Sequence, residues 1–346
     1  GISEISGSGE FEMKPAANKE KDFLQVISLI QTAKQKAFLA VNTALIGLYW
    51  NIGEHISKKI NSAQWGESVV GELAEFIAKK YPELKGYSDK NLWRMKQFYE
   101  AYSNQPKLSA LLREISWTNN LLILSKAKSL EEKEFYLRLC IKEQYSSREL
   151  ERQIDSGYFE RNMISTKKLS PVVRQTRPEV VNVFKDTYIF DFLSLPDGYS
   201  EKELRLALIK NFKKFILEFG KDFAFVGDEY KVQVGKNDYF IDLLFYHRGL
   251  QCLMAFELKI DDFKPEYLGK LNFYLEALDR DVKKKHENPS VGIILCKSKE
   301  DEVVEYALSR NLSPALVSEY RTKLIDKTIL RKKLHELYLI SSGGNG

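Results

Sequence analysis

Three residues in the C-terminal half have the types and spacing for chemistry: Asp242, Glu257 and Lys259. Asp242 lies in the middle of Asp238-Tyr239-Phe240-Ile241-Asp242-Leu243-Leu244-Phe245-Tyr246, a segment apolar on both faces. Strands of that kind are central and covered on both sides. A carboxylate there must be neutralised, hydrogen-bonded or bound to a cation, because burying it unpaired is costly. The next apolar run, Cys252-Leu253-Met254-Ala255-Phe256-Glu257-Leu258-Lys259, delivers an acid and an ammonium two residues apart. Strand side chains alternate, so Glu257 and Lys259 share one face. A tight turn at Arg248-Gly249 pairs Tyr246 with Gln251 and Phe240 with Glu257. Asp242 then lies diagonally across from Glu257 on the same face, provided the turn holds an even number of residues.

Two carboxylates gripping one ion suit Mg²⁺, or Mn²⁺, better than Zn²⁺, which favours His or Cys. A cation so held acidifies water and stabilises charge on a scissile phosphate, and a lysine beside it holds the attacking water or the transition state. That is the equipment of phosphodiester hydrolysis. The same three residues could equally form a partly buried salt bridge at a sheet edge.

The elements that must position them belong to the second of two domains expected from 346 residues. With 44% hydrophobic and 29% charged residues, the composition is that of a soluble globular protein, and a net charge of +5 permits a polyanionic partner without requiring one. Cys140, Cys252 and Cys296 are odd in number, distant from one another and set in apolar runs, which excludes a disulfide framework and implies a reducing, cytoplasmic setting. No run of about 18 apolar residues suggests a membrane span. Residues 1–14, rich in Gly, Ser and Glu around Met13, look like a cloning remnant and a disordered start.

Residues 15–160 read as helical, with Phe23, Val26, Ile27 and Ile30, then Ala37, Val41, Ala44, Leu45 and Leu48, at three- and four-residue spacing. A helix over 67–79 and another from Ser88 to about residue 102 suggest a helix-turn-helix. Lys90, Arg94 and Lys96 on the second are its candidate DNA contacts, or else ordinary solvated charges. Residues 161–180, with Arg161, Lys167, Lys168, Arg174 and Arg177 and no acid before Glu179, read as an exposed basic linker. In 181–342, a helix over 200–219 precedes apolar β-rich runs at 223–226, 230–234, 239–246 and 251–258. A helix over 266–278, a strand at 291–296, a helix near 302–310, a short strand at 315–317 and a terminal helix over 322–339 follow, leaving 341–346 loose. This is an α/β arrangement, a mixed central sheet flanked by helices.

Asp242 followed after a hairpin by Glu257-Leu258-Lys259 resembles the D…ExK core of the PD-(D/E)xK nucleases. Its surroundings narrow the resemblance: Phe223-Ala224-Phe225-Val226-Gly227, Phe263-Lys264-Pro265-Glu266-Tyr267, Asn272-Phe273-Tyr274-Leu275 and Gly292-Ile293-Ile294-Leu295-Cys296-Lys297. In the N-terminal half, Leu48-Tyr49-Trp50-Asn51-Ile52-Gly53, Trp65-Gly66 and Gly86-Tyr87-Ser88-Asp89-Lys90-Asn91-Leu92 add to it. Together they resemble the YhcG-like family, an all-helical domain followed by a restriction-endonuclease-like domain. The resemblance implies a Mg²⁺-dependent deoxyribonuclease with Asp242 and Glu257 as metal ligands and Lys259 as the catalytic cation. It adds Glu203, on the helix before the sheet, as a further ligand. Lys270 stands where this family leads one to expect glutamine, so the fourth element is Lys270 or Tyr274. His247, at the turn, reads as structural. DNA is the implied partner, with a homodimer or larger homo-oligomer possible; the alternative is a non-catalytic DNA-binding or assembly protein that keeps the fold.

Overall fold

A computed structural model describes residues 16–66, 68–165, 169–176, 179–180 and 183–343. The expected remnant at 1–14, the basic residues Lys167, Lys168 and Arg177, and the last three residues of the tail expected to be loose lie outside them. The chain divides into two compact units between Ile141 and Lys142.

The first unit is all helical. It comprises α1 (Ala16–Asn61), α2 (Ser68–Lys80), α3 (Asp89–Tyr102), α4 (Ser109–Glu114), α5 (Trp117–Lys126) and most of α6 (Leu130–Glu143). The C-terminal part of α1 packs with α2 and α3 through Tyr49, Ile56, Val70, Leu92 and Met95. A Cβ on Gly53 would lie 2.1 Å from the Met95 carbonyl oxygen, so only glycine lets α1 and α3 come this close. The connection from α2 to α3 spans residues 81–88, longer than the three- or four-residue turn of a helix-turn-helix.

The second unit holds a six-stranded mixed sheet in the order β1-β6-β5-β4-β3-β2, made of β1 (Thr187–Ile189), β2 (Phe223–Val234), β3 (Asn237–His247), β4 (Cys252–Leu258), β5 (Asn288–Cys296) and β6 (Ala315–Arg321). The pairs β2·β3 and β3·β4 are antiparallel; β4·β5, β5·β6 and β1·β6 are parallel. Helices α10 (Glu201–Lys210) and α11 (Phe212–Phe219) stand where a single helix is expected. Leu204 and Leu208 of α10 and the aromatic side chains of α11 cover one face, with Phe215 and Phe219 against Phe245 and Phe256. The other face is covered by α12 (Tyr267–Ala277), through Leu271 and Tyr274, and by α13 (Asp301–Ser309). Central strand β4 is buried along its whole length, and β5 from Ser290 onward, because both faces are covered.

The segment expected to be an exposed connector is built into this unit where it is described. Helices α7 (Ser147–Asp155), α8 (Tyr158–Ile164) and α9 (Pro171–Thr176) precede β1, and Arg161, Leu169, Ser170, Val173 and Val180 are buried. The guanidinium of Arg161 donates to the carbonyls of Ser156 and Thr187 at 3.1 and 2.7 Å. The terminal helix α14 (Lys327–Gly343) also packs on α8, where Arg331 pairs with Glu160 at 2.9 Å.

Candidate active site

The β3–β4 ladder runs from His247↔Cys252 to Leu243↔Phe256. The turn is therefore residues 248–251, four rather than two. An even count keeps Asp242 on the side of Glu257, but the register moves by two and sets Asp242 directly opposite Glu257 instead of diagonal to it. Here the strands part. Asp242 Oδ2 accepts the Leu258 amide proton at 2.8 Å in place of a ladder bond. In β2 the residue opposite, Glu229, has φ of +43°, a left-handed conformation costly for a side-chain-bearing residue. The kink lies beside the point where β3 leaves β4.

Leu253 and Ala255 face the α12 side, alternating with Met254 and Phe256 on the other, so Glu257 also points to α12. It is fully buried. Its Oε1 accepts from Lys270 Nζ on α12 at 2.6 Å and lies 3.0 Å from Lys259 Nζ, while its Oε2 is buried with no hydrogen-bond partner. Lys259 Nζ also donates to both oxygens of Glu201, at 3.0 and 3.1 Å. Burial opposes the Lys259 charge, but Glu257 and Glu201 outweigh it and raise the ammonium above its ordinary pKa. Burial, then the neighbouring Glu257 charge, pushes Asp242 up to about 6 despite its amide bond. Tyr274 donates to the Phe240 carbonyl at 2.7 Å, tying α12 to β3 just ahead of Asp242.

The structure thus brings Asp242, Glu257, Lys259 and Lys270 together with Tyr274 behind them, and leaves Glu203 out. Glu203 is the N3 residue of a capping box: its Oε2 accepts from the Ser200 amide at 2.8 Å and hydroxyl at 2.9 Å. Glu201, two residues earlier, reaches the site instead. The Ser200-x-x-Glu203 spacing was the available signal, since that pattern commits its glutamate to the helix end. Arg205, also unanticipated, is buried on α10, pairs with Glu229 at 2.7 Å and stands 4.0 Å from Asp242 Oδ1. No apolar pattern marks such a residue; it reads as the exposed face of a helix.

His247 serves the turn, its Nδ1 accepting the Leu250 amide proton at 2.9 Å. In the first unit, Lys96 is tied to Glu100 at 2.8 Å and lies over the Trp93 ring, which removes it from a free basic face. Lys90 is exposed and Arg94 half-buried on the same helix.

Residues 181–335 match the YhcG PDDEXK nuclease domain and residues 25–161 the DUF1016 N-terminal domain. The two matches together cover most of the chain. The chain is 28% identical to the Escherichia coli (strain K12) protein named "Putative nuclease YhcG", over 89% of this chain and 92% of that one. Among solved structures, a repair endonuclease from Pyrococcus abyssi is similar at 15% identity with a TM-score of 0.25, and EndoMS in its apo form at 16% with a TM-score of 0.24. The chain spans about half the length of each, 49% and 48%.

Among the described residues no group of three or more His, Cys, Asp or Glu side chains gathers as a metal cage. The candidate ligands are therefore Asp242 and Glu257. They fit a hard cation in one respect that hydrogen bonding leaves unexplained: the unpartnered buried Oε2 of Glu257. Lys270 opposes that use, because its ammonium already neutralises the same carboxylate. Lys270→Gln is therefore expected to tighten Mn²⁺ binding by about tenfold, a change of about 1.4 kcal/mol, in a calorimetric titration. Unchanged or weaker binding would show that Lys270 does not compete.

Proposed function

We propose that this chain is a metal-dependent deoxyribonuclease. Asp242 and Glu257 would hold a divalent cation, Mg²⁺ or Mn²⁺, which would supply charge neutralisation at the scissile phosphate and a lowered pKa for water. Lys259, anchored by Glu201, holds that water or stabilises negative charge as the phosphate becomes five-coordinate. Lys270 is a second cation at the same point, placed to meet a phosphate oxygen. The carrying observation is the buried Glu257 carboxylate facing Asp242 where β3 and β4 separate, with one oxygen free of any hydrogen bond. A buried carboxylate oxygen without a hydrogen-bond partner calls for an explanation, and beside the second acid, Asp242, a cation would supply one. The match to a nuclease domain and the phosphodiester chemistry of the residue set support a nucleic acid as substrate, and DNA is the form proposed.

The test is a panel of duplex, branched and single-stranded DNA, with RNA beside them, incubated with Mg²⁺ or Mn²⁺. Cleavage of at least one DNA form is expected, lost on chelation and in Lys259→Ala. A panel left intact with either ion would sink the reading and favour a DNA-binding or assembly protein.

A further inference from the structure

In the first unit, α1 carries an apolar stripe that its own unit leaves uncovered. Positions 23, 27, 30, 34, 37, 41, 44 and 48 alternate in steps of four and three: Phe23, Ile27, Ile30, Lys34, Ala37, Val41, Ala44 and Leu48. Every one of them is exposed, Phe23 at 65%, Ile30 at 50% and Val41 at 69%. That spacing is a heptad repeat, the period of helices that wind about one another. Ile27, Lys34, Val41 and Leu48 occupy its a positions; Phe23, Ile30, Ala37 and Ala44 occupy d.

From Asn42 onward the opposite face of the same helix is already used, whereas over 23–38 the described residues of α1 are exposed on every side. Asn42 donates to the carbonyls of Arg113 and Ile115, both at 2.9 Å, and Ile46 and Tyr49 are buried. Once these residues turn inward, the heptad seam must point outward. The residues flanking it are Val26, Gln31, Ala33, Phe38, Ala40, Leu45 and Gly47. None carries a charge, and the small ones permit close approach of a second helix.

We propose that α1 pairs along this seam with α1 of a second copy of the chain, giving a dimer held by two helices. Three features point to a second copy rather than an unrelated partner. Ile27 and Val41 place β-branched residues at two of the four a positions, and a single lysine among them is a device that fixes register and oligomer state at a cost in stability. The stripe runs about 39 Å, from residue 23 to residue 48 at 1.5 Å each. With Val26 and Phe38 it presents on the order of 800 Å² of apolar side chain, what each partner contributes to a standard stable interface.

Sedimentation of the full chain tests this without reference to nuclease activity. A dimer is expected for the wild type, and a monomer of unchanged circular dichroism for the double variant Ile30→Glu, Val41→Glu. Lys34→Leu removes the charge from the seam and is expected to lower the dimer dissociation constant by about tenfold; this arm stands even if the double variant fails to fold. A monomeric wild type, an assembly larger than a dimer, a dimer that survives the double variant, or a Lys34→Leu chain no tighter than wild type would overturn the proposal.

Discussion

Asp242→Asn is expected to lower DNA cleavage by about three orders of magnitude and yet to raise the melting temperature of the metal-free protein at neutral pH. The first effect follows if Asp242 is one of only two carboxylates holding the cation, an interaction contributing several kcal/mol at about 1.4 kcal/mol per tenfold in rate. The second follows from the raised carboxyl, pushed up to about 6 by burial and by Glu257 from an ordinary value of 3.8. Below the unfolded value both states are protonated, and the folded state bears no penalty. As the pH rises through about 6 the folded protein must hold a charge that it disfavours, so stability is lost across that window. Asparagine keeps an oxygen for the Leu258 amide and carries no charge. The gain at pH 7.5 is on the order of 1–3 kcal/mol and should vanish near pH 4. Thermal melts in chelator at the two pH values measure it, and Mn²⁺ should stabilise wild type far more than the variant. A lower melting temperature for the variant at pH 7.5 would show that the carboxylate is satisfied by the fold and not held ready for a cation.

How much of this was legible in the sequence depended on the distance over which each signal acts. Asp242 stood out because one acid interrupts an apolar run, and Glu257 and Lys259 because alternation along a single strand needs no tertiary information. Their meeting depended on the turn. Evenness, which sets the face, was anticipated correctly. The length was not, because Leu250 and Gln251 look like the start of β4, while in the structure they complete the turn, Gln251 at a φ of +50°. The choice of Glu203 over Glu201 turned on one helical step. The capping box could have decided it, but the reach of Glu201 to Lys259 depends on how α10 sits against the sheet, which no local pattern encodes. Arg205 was invisible for the same reason. The basic segment around Arg161 misled in the opposite direction. Charge there suggested solvent, whereas the Arg161 guanidinium is buried against backbone carbonyls.

That misreading marks the second large expected effect. Glu218→Ala is expected to destabilise the protein by about 3–5 kcal/mol, the cost of removing one partner from a buried ion pair. Glu218, on α11, is fully buried. Its Oε1 accepts from Lys185 at 3.1 Å and from the Ile189 amide of β1 at 3.1 Å, and its Oε2 accepts from Arg152 of α7 at 2.8 Å. Burial would raise this carboxyl, but Lys185, Arg161 and Arg152 overcome it and hold it down at about 2. Its contribution is therefore complete above the unfolded value near 4.5 and is lost only as the pH falls toward 2. Three elements depend on the one side chain: α7 through Arg152, which also pairs with Asp191 at 2.7 Å, the edge strand β1, and α11. The next residue on α11, Phe219, packs on Phe256, the neighbour of Glu257. Removing the carboxylate leaves a buried ammonium and an amide unsatisfied and frees α11 to shift behind the site. Urea unfolding at pH 7 should show the loss, and Glu218→Gln, which keeps an acceptor for Ile189, should recover part of it. If Glu218→Ala cost less than about 1 kcal/mol, the range of an exposed pair, the network would not be what binds α7 to the nuclease sheet.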